Sequence, residues 1–77
     1  MRIRYDEKVD ALYIRLRESK YFESDEIKEG FILDYDQEGN VVGIEILDAS
    51  SYLSPEELSS VSFEVKKAIS SKSAVPL

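Results

Sequence analysis

Apolar and polar residues alternate most clearly over residues 31–35, FILDY, and 41–47, VVGIEIL, two β-branched and aromatic runs separated by the polar QEGN. Period-two alternation on both sides of a turn-forming segment predicts a β-hairpin. With Gln37 to Asn40 as the loop, Asp36 faces Val41, Tyr35 faces Val42, Leu33 faces Ile44 and Phe31 faces Ile46. This register gathers Phe31, Leu33, Tyr35, Val42, Ile44 and Ile46 on one surface, and a slip of one residue would mix the faces. The first segment, IRYDEKVDALYIRL over 3–16, repeats the plan: a loop from Glu7 to Asp10 sets Tyr5 opposite Leu12 and Ile3 opposite Ile14. Aligning Tyr5-Asp6 with Tyr35-Asp36 also aligns Leu12 with Val42, Ile14 with Ile44 and Leu16 with Ile46, all at an offset of 30 residues. A structural repeat and chance likeness between two short hairpins both fit that offset.

Between the hairpins, KYFESDEIKEG is polar with Tyr21, Phe22 and Ile27 embedded, which predicts a short irregular edge strand near 20–25 and a turn at Gly30. Ser54-Pro55-Glu56-Glu57 spells a helix start, with serine as N-cap, proline at the first helical position and glutamate three residues after the cap. Beyond it, Leu58, Val61, Val65, Ala68 and Ile69 follow a helical stripe, whereas Val61, Phe63 and Val65 alternate as a strand would. The serine and β-branched content of SSVSFEV favours a short helix followed by a fifth strand over residues 61–66. The expected fold is therefore α+β, an antiparallel sheet built from two similar hairpins (about 2–17 and 31–47) with a C-terminal helix starting near 55. Residues 1–70 form one small domain and 71–77 a frayed tail.

Composition narrows what such a domain does. A chain of 77 residues buries only about 60% of the surface it exposes when unfolded. One helix is a small lid for a sheet, so a homodimer is expected to cover what remains. Cysteine and histidine are absent, which removes disulfides, thiolate metal sites, the usual zinc ligand and the commonest general base near neutral pH. A non-enzymatic protein without cofactor is the resulting expectation. The net charge of -6 repels phosphate backbones and favours a basic protein partner over nucleic acid. Apolar runs last only a few residues, which predicts neither a signal peptide nor a membrane span and makes the cytoplasm the expected location.

One motif argues for a different function. In DYDQEGNVVGIE, residues 34–45, Asp34, Asp36, Glu38, Gly39 and Glu45 fall at EF-hand positions one, three, five, six and twelve. An EF-hand loop lies between helices, however, and here both flanks read as strands. In the hairpin register Glu45 lies opposite Ile32, far from the loop, while Asp and Gly at positions 36 and 39 are ordinary turn residues. The hairpin is the better reading, and a carboxylate-based metal-binding protein or small hydrolase is the alternative function. Acid pairs drawn from Asp34, Asp36, Glu45 and Asp48 read as ordinary solvated carboxylates.

The outward surface of the hairpins holds the candidate interface. All four arginines, Arg2, Arg4, Arg15 and Arg17, fall there, with Arg2 directly opposite Arg15. Such like-charge pairing calls for an anion nearby. The carboxylates of Asp34, Asp36 and Glu45 on the second hairpin are the internal candidates, and a partner's acidic patch or a phosphate the external ones. Ala11, Tyr13, Ile32, Val41 and Leu47 share that surface. Arginines beside a tyrosine and aliphatic residues have the composition of an interface core, so Arg2, Arg4, Tyr13, Arg15, Arg17, Ile32, Asp34, Val41, Glu45 and Leu47 are the expected partner or dimer contacts. Residues 52–69 of the same chain could equally cover part of it.

The blocks YDEKVDALYIRL at 5–16 and EGFILDYDQEGNVVGIEILDAS at 29–50 resemble domain-of-unknown-function family 2283, a group of short prokaryotic proteins. The resemblance implies a small β-rich fold, carries no catalytic residues over, and stops short of Tyr52. It also implies a suspected antitoxin-like role beside small ribonuclease-like toxins, which are usually basic.

Overall fold

The computed structural model describes residues 1–68. Five strands, β1 (Arg2–Asp6), β2 (Ala11–Arg15), β3 (Glu23–Lys28), β4 (Phe31–Tyr35) and β5 (Val41–Leu47), form one antiparallel sheet in the order β1-β2-β5-β4-β3. A 3-10 turn at Ala49–Ser51 and a helix α1 at Pro55–Leu58 follow. The chain is thus mostly strand, and the expected C-terminal helix is a single turn.

The first hairpin has the expected register, Tyr5 with Leu12, Ile3 with Ile14 and Arg2 with Arg15. In the second, Phe31 pairs with Ile46, Ile32 with Glu45, Leu33 with Ile44 and Asp34 with Gly43, also as expected. Tyr35, however, pairs with Val41, not Val42. The turn is tighter than the sequence suggested: the Asp36 N–H donates to the Asn40 carbonyl at 2.9 Å, so the loop spans three residues, closed by Gly39 at φ 86°. A bulge between Asp34 and Tyr35 absorbs the difference of one residue and leaves Val42 completely buried. Two offsetting irregularities preserve the rest of the ladder.

The edge strand lies at 23–28, where 20–25 was expected, and all six of its residues are exposed. Its ladder is preceded by the Phe22 N–H, which donates to the Tyr35 carbonyl at 2.7 Å. The turn at Gly30 is present, with φ 82° and its N–H donating to the Glu26 carboxylate at 2.9 Å. No strand forms over 61–66, which corrects that expectation; β3 makes the fifth strand. The capping box at Ser54 and Glu57 is formed as the sequence spelled it. Ser59 ends the helix by turning both its N–H and its hydroxyl onto the Glu56 carbonyl, at 3.3 and 2.9 Å. Ile69, at the end of the helical stripe, and the tail at 71–77 lie outside the described residues.

The sheet's first face carries Ile3, Tyr5, Leu12, Ile14, Ile44, Ile46, Leu33 and Phe31, as strand alternation requires. The C-terminal segment covers part of it. Tyr52 meets Phe31 edge-on with ring centroids 5.0 Å apart, and Leu53 and Leu58 border a concavity with Ile3, Tyr5, Leu12 and Ile14. Cover is thin: Ile3 stays 44% exposed and Leu16 40%.

Candidate functional site

The second face is where strand parity places Arg2, Arg4, Tyr13, Arg15, Glu45, Ile32 and Asp34. Six of the expected contact residues, Arg2, Arg4, Tyr13, Arg15, Asp34 and Glu45, line one open concavity of about 380 Å³, joined by Tyr21 from the β2–β3 connection. Ile32 and Leu47 lie on the same face, paired with Glu45 and Ala11, outside the concavity. Val41 sits at the bulge opposite Tyr35, and Arg17 lies beyond the end of β2, exposed.

Three of the four arginines, Arg2, Arg4 and Arg15, are held by groups of the same chain. Arg2 stands opposite Arg15 as expected, but the anion beside it is Glu18, which it grips through Nε at 2.8 Å and Nη2 at 3.1 Å. Asp34, Asp36 and Glu45 were the expected partners. This ion pair is exposed on both sides and contributes little to stability. It still holds the Glu18 carboxyl below its usual range, chiefly through the hydrogen bond from Arg2. Arg4 lies over the Tyr13 ring at 4.9 Å from its centroid, a cation–π contact between cross-strand neighbours. Arg15 donates to the Ser19 carbonyl at 3.2 Å, tying the β2–β3 connection to the concavity's rim.

The carboxylates divide by environment. Asp36 is not on the outward face but buried in the β4–β5 turn, where Oδ1 accepts the N–H groups of Glu38 and Asn40 at 3.0 and 2.8 Å. The backbone bond from Asn40 is the main cause of its lowered pKa. Asp34 accepts the Ser24 hydroxyl at 2.6 Å. Glu45 is no ordinary solvated acid: its pKa is pushed up to about 7, first by burial, then by a hydrogen bond with Asp34 and that residue's charge, with Arg15 partly opposing. Gly43 makes the approach possible, since a Cβ there would stand 3.2 Å from Asp34 Oδ2 and 3.4 Å from the Ile14 carbonyl.

A carboxyl with a raised pKa binds more protons folded than unfolded between about pH 4.5 and 7. Stability therefore falls as pH rises through that window, and the full cost is present above it. Glu45→Gln is expected to raise Tm by about 4 °C at pH 8, a modest gain because the group keeps contact with solvent, and to leave it unchanged at pH 4. Thermal melts of both proteins across pH 4 to 8 check this; parallel profiles would refute it.

Among the described residues no cluster of three or more carboxylates is placed to hold a metal ion, and no helix is long and apolar enough to cross a membrane. Of the calcium-like spelling, Asp34 and Glu45 lie on the second face, whereas Asp36 is engaged in the turn. Sequence reasoning missed Glu18, Tyr21 and Ser24 because the segment from 17 to 24 has no apolar period to fix its path.

The fold and this face define a small, mostly-strand domain with a charged and aromatic concavity on one side of its sheet. The chain belongs to the family described as protein of unknown function, DUF2283, whose model matches residues 2–50 and so spans all five strands. No curated protein and no solved structure matches the chain.

Proposed function

We propose that this is a non-enzymatic protein of the cytoplasm that acts by contact, as a homodimer, covering a basic protein partner in the manner of an antitoxin. The observation that carries this reading is β3. It is a complete edge strand, exposed at every residue, whose side chains include Glu23, Asp25 and Glu26. Tyr21, Phe22 and Ile27, each more than half exposed, accompany these acids. An open strand edge offers unpaired backbone groups to an incoming strand, exposed aromatics supply contact area, and carboxylates choose a basic partner. Tyr21 and Asp34, held by Ser24, connect this edge to the concavity, so one surface runs from Glu45 to the outer side of β3. The likeness of the two hairpins belongs to this proposal too, supported by the Ile14–Ile44 pair, which joins them at the 30-residue offset.

Steering by the net charge of -6 gives an association that weakens as salt rises. The test is affinity capture of a basic protein in stoichiometric amount from the native host, repeated with Glu23→Lys, Asp25→Lys and Glu26→Lys combined. The triple variant is expected to lose at least about 100-fold in affinity, because it replaces three attractions by three repulsions. Equal capture by both proteins, or none by either, overturns the reading.

The Asp34–Glu45 pair supports a second reading, a small carboxylate hydrolase. A protonated acid beside a second carboxyl in a concavity is an acid–base arrangement. Turnover of an ester or phosphoester that Glu45→Gln abolishes would favour it over contact alone.

A further inference from the structure

Of the apolar alternation Val61, Phe63, Val65, Val61 borders the first-face concavity, whereas Phe63 and Val65 line none of the concavities described. These residues are 66%, 73% and 66% exposed, and residues 60–68 belong to no helix or strand. Among the described residues none from 60 to 68 makes a backbone hydrogen bond outside regular elements. The radius of gyration is 15.2 Å, against about 11 to 12 Å for a compact chain of this length. A strand-patterned arm that belongs to no ladder among the described residues is an element waiting for an edge.

Two edges are open, the outer sides of β1 and β3. Beside β3 the apolar stripe would lie next to Glu23 and Asp25, which share the first face with Tyr35 and Leu33. Beside β1 it would continue the first face from Ile3 and Tyr5, and Ile3 is 44% exposed. Chemistry therefore selects β1. Antiparallel pairing with Val61 opposite Tyr5 and Phe63 opposite Ile3 sets Ser62 opposite Arg4 and Glu64 opposite Arg2. A parallel arrangement with Phe63 beside Tyr5 would instead place Glu64 against Asp6. Opposite charges meet in the antiparallel register.

In the single chain the arm starts near β1, where Ser60 and Val61 border the same concavity as Ile3 and Tyr5, but Phe63 and Val65 stay exposed and no ladder forms. Helix α1 lies in a layer above the sheet, where Leu58 borders the concavity over Ile3 and Tyr5, and Ser59 is bound back to Glu56. The β1 of a second copy offers the same edge to an arm that stays extended. We infer that residues 61–65 add as a sixth strand to the β1 edge of a second copy of this chain, reciprocally, in a closed two-fold dimer. Exchange of identical elements between copies is a low-cost route to a dimer and leaves no arm unpaired. The inference rests on the homodimer of the proposed function and gives it a contact; it is independent of the basic partner.

Light scattering on the full chain is expected to give twice the 8.8 kDa of one copy. Phe63→Asp should give one copy that keeps the five-stranded sheet and loses only the strand signal of the arm in the far ultraviolet, since that ring touches little in the single chain. Because the chain has no cysteine, mixing Ser62→Cys with Arg4→Cys, one of them tagged, reports the register directly. Cross-strand Cα spacing of about 4.5–5.5 Å suits a disulfide, so the mixed dimer should cross-link. A dimer that survives Phe63→Asp and yields no mixed cross-link overturns the arm exchange and leaves the dimer standing. A chain that stays single up to about 1 mM overturns both. A double variant that closes the link within one chain places the arm on its own edge and also refutes the exchange.

Discussion

Asp10→Ala is expected to lower the urea midpoint of unfolding by about 1–2 M, from the loss of hydrogen bonds to a charged acceptor at a denaturant slope typical of small domains. Asp10 closes the β1–β2 loop, but its main contacts are distant in sequence. Its Oδ1 accepts the Tyr5 hydroxyl at 2.6 Å and the Ser50 N–H at 3.0 Å, and Oδ2 accepts the Ser50 hydroxyl at 2.6 Å. The Asp10 carbonyl accepts the Ala49 N–H at 3.0 Å. One residue thus anchors the start of the C-terminal segment to the first hairpin. It also sits at φ 55°, a left-handed conformation that Asp and Asn adopt far more readily than Ala. Alanine loses the three side-chain contacts and strains the backbone, so Tyr52 should leave Phe31 before the sheet opens. Asp10→Asn keeps the backbone preference and part of the bonding, and is expected to fall between.

Two titrations check the same node. Tyr5 has its phenol pushed up to about 12 chiefly by the bond to Asp10, and Asp10→Ala should return it towards the ordinary 10. The Asp10 carboxyl is held low first by the Ser50 hydroxyl and then by Tyr5. Its contribution is present above the ordinary carboxylate range and is lost as pH falls through the depressed folded value. Acid melts of the wild type should therefore be steeper than those of Asp10→Ala. Equal midpoints in urea for the two proteins would show that Ser50 and Tyr5 find other partners at no cost.

The strand pairs were legible because they depend on neighbours a few residues apart. Ile3, Tyr5, Leu12 and Ile14 alternate across a short loop, and only one register sorts them to one face. The second hairpin was legible in the same way from Gly43 onward, whereas its turn was not, because Asp36 can close a three-residue or a four-residue loop. The bulge at Val42 hid the difference. Strand β3 was read as an edge strand but a few residues too early, for the opposite reason: with all six residues exposed it has no buried face to impose a period. The six residues that meet in the concavity followed from parity alone. What the sequence could not show was the raised pKa of Glu45, which depends on Asp34 across the ladder. The bond from Asp10 to Ser50, across 40 residues, is likewise invisible to any local pattern. The strand expected over 61–66 does not form: the apolar alternation is there, but these residues belong to no helix or strand, so alternation without a neighbouring ladder was not enough.

The calcium spelling supplies the other large effect, since the same residue gives opposite expectations in the two readings. As a metal ligand Asp36 would be strained without its ion, and Asp36→Ala would be harmless or stabilising in calcium-free buffer. As a turn residue it is indispensable. It is 6% exposed, Oδ1 holds two backbone N–H groups, and Oδ2 accepts the Asn40 side-chain amide at 3.2 Å. Deleting the carboxylate leaves those donors in a partly buried turn with no acceptor, the costlier way to break a hydrogen bond. Asp36→Ala is therefore expected to lower the urea midpoint by about 1–2 M without calcium. Asp36→Asn, which keeps one acceptor oxygen, should lose less. Added calcium should leave the wild-type Tm unchanged, because both carboxylate oxygens are already engaged by the turn and Glu45 stands on the second face. A calcium-dependent rise in Tm that Asp36→Asn removes would restore the metal reading and require the β4–β5 turn to open around the ion.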